Sequence, residues 1–426
     1  MSSQAKIVTR VLGEELEKFE ADNICLRQCM VKQMGGQTGH RSEFTEWHDA
    51  PPIATVVTGS TPSISNFNEI THLAVPHKVT TYYTRPFKLT NNDTLDPSEL
   101  SRQMRAAMQA IDAGINRAVV NKVVEEGGQF VGRTSALSGF ADIAAVDTLL
   151  TEQDVSQESG KTMILNAGDY NAMAADLAGR ETLQGRAENA YDRAFIGQMS
   201  GFDTFKTSFA PSKVAAAPTS ITVNGANQDY DPAAFQTTTA GEPENIDNRT
   251  ATLTVTGTIS GAVAGDKFTV AGVNAVSLVN KNDTGNLRTF TVVSVSGQDI
   301  TYSPPIIVDS GTPNSTVTQA RDDYANCSAA PANGAAVTFV NYDTALTNVF
   351  FENDSVCINT APVVGTEEQL GGMILMNETT ERGLNIIVAK QGAIADLSTE
   401  WRVTARAGVT IRDPIKCGIL MGAQTP

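Results

Sequence analysis

At 426 residues the chain exceeds the size at which a single hydrophobic core stops growing, so more than one domain is expected. A formal charge of −16, with 31 basic residues against 47 acidic and no basic run, excludes tight, salt-sensitive nucleic-acid binding, which needs clustered Lys and Arg to displace phosphate counterions. Five scattered cysteines, Cys25, Cys29, Cys327, Cys357 and Cys417, make neither a disulfide framework nor a metal cluster and read as reduced thiols.

The first residues run directly into a charged helical pattern with no apolar signal core, and no stretch approaches transmembrane length, so synthesis in a cytoplasm is expected. Over 7–30 the apolar residues Val8, Leu12, Leu16, Phe19, Leu26 and Met30 recur every three or four positions and predict one amphipathic helix. It either docks on its own domain or lies as an arm on a neighbouring subunit. Glu14, Glu15, Glu17 and Glu20 form a solvated face or a docking surface for a basic partner helix. Residues 35–90 turn to Thr, Val, Pro and Gly, with strand-like stretches at 53–58 and 78–89. They read as an extended β-hairpin that needs another chain to pack on.

Asp96 then offers an N-cap, with Pro97 in the first turn, Glu99 three residues after the cap and Gly127-Gly128 as the stop. Between them Leu100, Met104, Met108, Ile111, Ile115, Val119 and Val123 form one stripe, predicting a helix roughly 45 Å long at the standard rise. Shorter helices are predicted at 141–155 and at 167–178, the latter capped by Asn166, with Met163-Ile164-Leu165 as a buried strand between them. From 218 to 343 the helical period disappears. Strand candidates at 220–223, 251–256, 267–270, 289–295, 300–302 and 336–340 predict a small β-barrel or sandwich. This stretch holds twelve acidic residues against five basic ones and no histidine. Mixed patterning returns afterwards, with strands at 348–351, 385–389 and 401–405. An α+β domain interrupted by a β-domain and then resumed is the signature of a domain insertion.

No constellation for catalysis, a cofactor or a metal emerges. His40, His48, His72 and His77 lack helical ligand spacing and read as exposed loop residues; Cys25 and Cys29, one turn apart, read as half-buried packing residues. Asp322-Asp323 and Glu367-Glu368 read as surface turns, with a lattice salt bridge as the functional alternative.

In their order, these pieces resemble the coat proteins of P22-type short-tailed phages. The local likeness lies in Asn245-Ile246-Asp247-Asn248-Arg249, Ala251-Thr252, Gly265-Asp266-Lys267 and Ala271-Gly272-Val273 inside the insertion. Outside it, Gly201-Phe202-Asp203, Thr347-Asn348-Val349-Phe350, Gly383-Leu384-Asn385 and Gln391-Gly392 are similar to family segments. The resemblance implies an HK97-like capsid fold divided into an N-terminal arm (1–34), an extended β-hairpin loop (35–90), a spine helix (91–127), an α+β domain (128–217 and 344–426) and an inserted all-β barrel (218–343). It implies a major capsid protein that self-assembles as hexamers and pentamers of an icosahedral head, with a scaffolding protein and a portal as partners. Double-stranded DNA would be enclosed without sequence-specific binding and no membrane would be involved; the place would be the virion, and the host bacterial cytoplasm during assembly. By the same resemblance Glu242, Glu244, Asp247 and Arg249 are candidates for contact with a neighbouring capsomer, and Val8, Leu12, Leu16 and Phe19 for burial of the arm. The competing readings are an adhesin or tail-tube-like protein whose β-domain binds a receptor, and an enzyme with an appended β-module. The missing export signal and the long helix tell against the first, and the lack of any convergent acid, base or nucleophile against the second.

Overall fold

A computed structural model describes residues 13, 19, 23–34, 44–49, 71–90, 93, 97–179, 193–194, 196–309, 316–361, 374–393 and 398–425. The chain divides into two compact units, one of Met1–Glu46, Pro76–Val119 and Val356–Thr410, the other of Trp47–Val75, Val120–Ser355 and Ile411–Pro426. Helix Pro97–Glu126 supplies residues up to 119 to the first and from 120 to the second. Its predicted stripe is buried throughout, and the two glycines end it as expected; Asp96 lies outside the described residues. No described helix is long and apolar enough to cross a membrane.

In the first unit, strands run in the order Met30–Gln33, Val356–Thr360, Ser398–Ile411, Asn385–Ala393, Ile374–Thr379, and Thr81–Leu89 pairs on Ser398–Ile411 as well. The predicted helix over 7–30 therefore does not run through. Asn23, in an extended conformation, starts a new short helix, Ile24–Gln28, by accepting from the Leu26 amide at 2.8 Å, and Met30 opens a strand parallel to 357–360. Asn competes for backbone donors, so it favours a cap over a helix interior. Apart from Gly13 and Phe19, residues 7–22 lie outside the described residues.

The single strand expected at 78–89 is two strands. Ala74–Val79 pairs with Phe44–Asp49, whereas Thr81–Leu89 runs antiparallel to 399–407 of the same chain, from Thr81 opposite Ala407 to Leu89 opposite Thr399. Thr and Tyr residues mark a strand but carry nothing about its partner. Cross-strand pairs decide it here: Phe87 stacks on Trp401 at 6.1 Å between centroids, and Thr84 bonds Thr404 at 3.1 Å. The expected strand at 53–58 lies outside the described residues. His77 is fully buried, its Nδ1 donating to Asn359 Oδ1 at 2.8 Å, so the reading of the histidines as exposed fails there. Cys25 and Cys29 are both buried, more deeply than expected, and Cys357 joins them. Burial, then Cys25 and Cys357, pushes the Cys29 thiol up, so it stays protonated.

In the second unit a mixed sheet runs Gln129–Gly132, Cys417–Met421, Asn348–Glu352, Lys161–Asn166, Phe202–Thr207, Gln198–Met199. Helices Phe140–Glu152 and Ala167–Ala178 cover it with Ile143, Val146, Leu150, Tyr170 and Met173 against Met163, Leu165, Phe202 and Phe350. Asn166 caps the second helix by accepting from the Asp169 amide at 2.9 Å, as its position predicts. The six expected strands of the β-region close a barrel in the order Thr219–Val223, Ala251–Thr258, Asp299–Ser303, Asp283–Ser296, Lys267–Val276, Ala336–Phe339. Phe268, Phe290, Tyr302 and Phe339 meet in its core at centroid distances of 5.4 to 6.0 Å. A helix at Thr316–Tyr324 was not expected there, where the sequence shows no helical period and opens on the β-branched Thr316, Val317 and Thr318, which favour helix less. Asp323, read as a surface turn, is buried in it; Glu367 and Glu368 lie outside the described residues.

Strands Cys417–Met421 and Gln129–Gly132 approach so closely that a Cβ on Gly418 would lie 2.2 Å from the Gln129 carbonyl oxygen. Gly418→Ala is expected to cost roughly 1–3 kcal/mol of unfolding free energy, the usual range for forcing volume into a packed site. An unchanged urea midpoint would mean the two strands separate freely.

Candidate inter-subunit surface

The segment 235–245 is an exposed two-stranded hairpin. Phe235 faces Asn245, Gln236 faces Glu244 and Thr237 faces Pro243, and every residue of both strands is exposed. The Thr238 amide donates to the Glu242 carbonyl at 2.9 Å, and Gly241, at φ 86°, takes the left-handed conformation the turn needs. Glu244 accepts only a long bond, 3.3 Å, from Gln236 Nε2, and Phe235 is 57% exposed. Glu242 and Glu244 thus stand beside an uncovered aromatic ring with their charges facing water.

Asp247 and Arg249 behave differently. Arg249 grips Asp247 in bidentate fashion, Nε to Oδ1 at 2.8 Å and Nη2 to Oδ2 at 2.7 Å, while Nη1 donates to the Ile411 carbonyl at 2.6 Å. Burial alone would lower the Arg249 guanidinium; the bond and charge of Asp247 outweigh it, and the group is held above its ordinary value. Between them Asn248 is buried and uses its whole side chain. Its Oδ1 accepts from Tyr230 Oη at 3.0 Å and the Ala233 amide at 3.1 Å, and its Nδ2 donates to the carbonyls of Ala233 and Ile246. The charges at 247 and 249 therefore anchor the hairpin's base, a role that charge alone does not disclose. Phe19 is buried; Val8, Leu12 and Leu16 lie outside the described residues.

The barrel that carries the hairpin is seated by three contacts sequence reasoning did not find. The chain enters through Ser212–Lys213 and leaves through Ala345–Leu346, and these pair antiparallel as a short stalk. Beside it, Lys213 Nζ lies 2.9 Å from Asp266 Oδ1, which also accepts from Asn341 Nδ2 at 3.2 Å. The barrel loop 277–280 closes around Asp154, whose carboxylate accepts from Ser277 Oγ, from the amides of Val279 at 2.9 Å and Asn280 at 3.3 Å, and from Asn280 Nδ2 at 2.9 Å. Desolvation raises the Asp154 carboxyl, but these donors together lower it below its ordinary value. The third is Lys267, fully buried, whose Nζ reaches the Gly127 carbonyl. Among the described residues no group of three or more His, Cys, Asp or Glu could hold a metal ion.

Two outcomes test this arrangement. Asn248→Ala leaves buried donors and acceptors unpaired and is expected to cost about 1–3 kcal/mol, with faster exchange of the Ala233 amide; unaltered exchange would show that the hairpin base does not need Asn248. A carboxyl lowered in the fold contributes stability that is present above its unfolded value and lost as pH falls through the folded one. Asp154→Asn should therefore lower the unfolding midpoint at neutral pH, the gap from wild type narrowing as pH drops below the ordinary 3.8. A gap that is constant with pH would remove Asp154 from that role.

Among solved structures, the chain is similar to the capsid of the cyanophage P-SCSP1u, at 11% identity over 93% of this chain and 87% of that one, with a TM-score of 0.42. It is similar to a structure from Mycobacterium phage Che8, at 9% identity over 90% and 85%, with a TM-score of 0.40. The CUS-3 coat protein I-domain matches at 38% identity over 29% of this chain and 96% of that one, with a TM-score of 0.22. A family model described as "P22 coat protein - gene protein 5" matches residues 1–422. With the match running almost from end to end, the chain belongs to the P22 coat protein family and is a major capsid protein of a phage head.

Proposed function

We propose that this coat protein assembles as hexamers and pentamers of an icosahedral shell with an HK97-like subunit fold, around a scaffolding protein and with a portal at one vertex. The family match over 1–422 carries this reading. Assembly takes place in the host bacterial cytoplasm and the product is the virion capsid. The formal charge of −16 suits a wall that encloses double-stranded DNA with little grip on phosphate and keeps free subunits soluble. Its activity is association, with no catalytic step. Residues 1–34 act as the arm, the part of the 35–90 loop before the buried strand Ala74–Val79 reaches toward a neighbour, and 218–343 form an inserted domain whose hairpin meets an adjacent capsomer through Glu242, Glu244 and Phe235. Thr81–Leu89 is better assigned to the subunit body, since its pairing partner lies in the same chain.

Expression with and without the neighbouring phage genes, followed by sedimentation and negative-stain microscopy, tests this directly. Closed shells or curved sheets of hexamers are expected, and a strictly monomeric protein in both conditions would end the reading. Residues 218–343 expressed alone should melt cooperatively with dispersed amide signals, because six strands close a barrel with its own apolar core. A broad, non-cooperative melt would refute that domain boundary.

A further inference from the structure

Lys267 opens the barrel strand Lys267–Val276, and its side chain has no contact with solvent. Nζ donates to the carbonyl of Gly127, just past the end of helix Pro97–Glu126, and to Thr291 Oγ1 at 2.7 Å, while Thr291 Oγ1 donates to the same carbonyl at 2.5 Å. Two barrel strands therefore close on one oxygen at a helix terminus. Such a terminus has carbonyls without intrahelical partners and favours a cation. Burial opposes that charge, and the surroundings do little to offset it.

The groups around the amine are engaged or neutral. From the stalk, Lys213 contributes a like charge and is itself paired with Asp266. Asp266, one residue before Lys267, accepts from Lys213, from Asn341 Nδ2 and from the Val263 amide at 2.8 Å. From strand Cys417–Met421 the Cys417 thiol faces the site, pushed up by burial and so protonated. At the helix end Glu126 is bonded to Lys122. Among the described residues no carboxylate forms an ion pair with Lys267.

We propose that the seat of the barrel on the helix end is a pH-sensitive joint worked by the Lys267 amine, closed while the amine is neutral and loosened when it takes up a proton. Burial lowers Lys267 to about 7, with Cys417 and Asp266 opposing that shift and Lys213 adding to it. A base that binds its proton more weakly when buried favours the closed state as pH rises from about 7 toward its ordinary 10.5, and leaves the joint weakest below about 7. The limiting slope is about tenfold in the opening constant per pH unit. The inference concerns the subunit alone and stands apart from the assembly reading.

Hydrogen exchange on the full chain, followed in peptides covering 125–129 and 264–270 and corrected for intrinsic exchange, tests it between pH 6 and 9. Protection in wild type is expected to rise with pH, by up to about tenfold per unit above pH 7, and the slope should vanish in Lys267→Met. A flat wild-type profile, or a slope that persists in Lys267→Met, would overturn the proposal. Lys281→Met removes the other barrel lysine that burial lowers, leaves every group at the joint in place and is expected to keep the slope, so its loss there would also overturn the proposal, even where Lys267→Met does not fold.

Discussion

A long helix has to end, and the carbonyls of its last turn then need donors from elsewhere. In this chain the oxygen of Gly127 finds them in Lys267 and Thr291, and the Gly128 amide donates to the Pro414 carbonyl at 2.7 Å. The barrel strands and the 414–421 segment are thus drawn to one point by the bonding needs of a helix terminus. Gly127 and Gly128 are required at that point because a Cβ on either would lie within 3 Å of a backbone oxygen. The stop signal in the sequence is also the meeting place of three parts of the second unit.

The same need helps to seat the inserted barrel on its host. Its entry and exit strands pair with each other, so the insertion opens and closes at one place. Around that stalk the Lys213–Asp266–Asn341 cluster and the Lys267 bond supply buried polar contacts, which are stronger there than in water, and the more exposed loop around Asp154 adds its own bonds. Polar seating confers direction: each donor must meet its own acceptor, so the barrel has one orientation, and the exposed hairpin at 235–245 is presented at a fixed place.

That hairpin shows how charge divides between holding a base and facing water. Asp247 and Arg249 satisfy one another and the Ile411 carbonyl, and Asn248 ties the base, so the tip can stand out with Glu242, Glu244 and Phe235 uncovered. In the assembly proposed above, such a division would let weak, reversible contacts stand on a rigid support.

The helices between 97 and 178 and the barrel strands were legible in the amino-acid sequence, because periodicity and capping act over a few residues, whereas sheet strands such as Phe202–Thr207, Val356–Thr360 and Cys417–Met421 were not. The stripe from Leu100 to Val123, the Asn166 cap and the six barrel strands all follow from such local rules, and the insertion follows from the order of the patterns. The collinear resemblance carried the family. What only the tertiary structure decided are pairings between residues far apart: His77 beneath Asn359, Thr81–Leu89 on 399–407, Asp154 inside a barrel loop and Lys267 on a helix end. A histidine, a strand or a lysine has the same local signature whether it meets water or a partner hundreds of residues away, so its burial and its chemistry are set when the chain closes on itself.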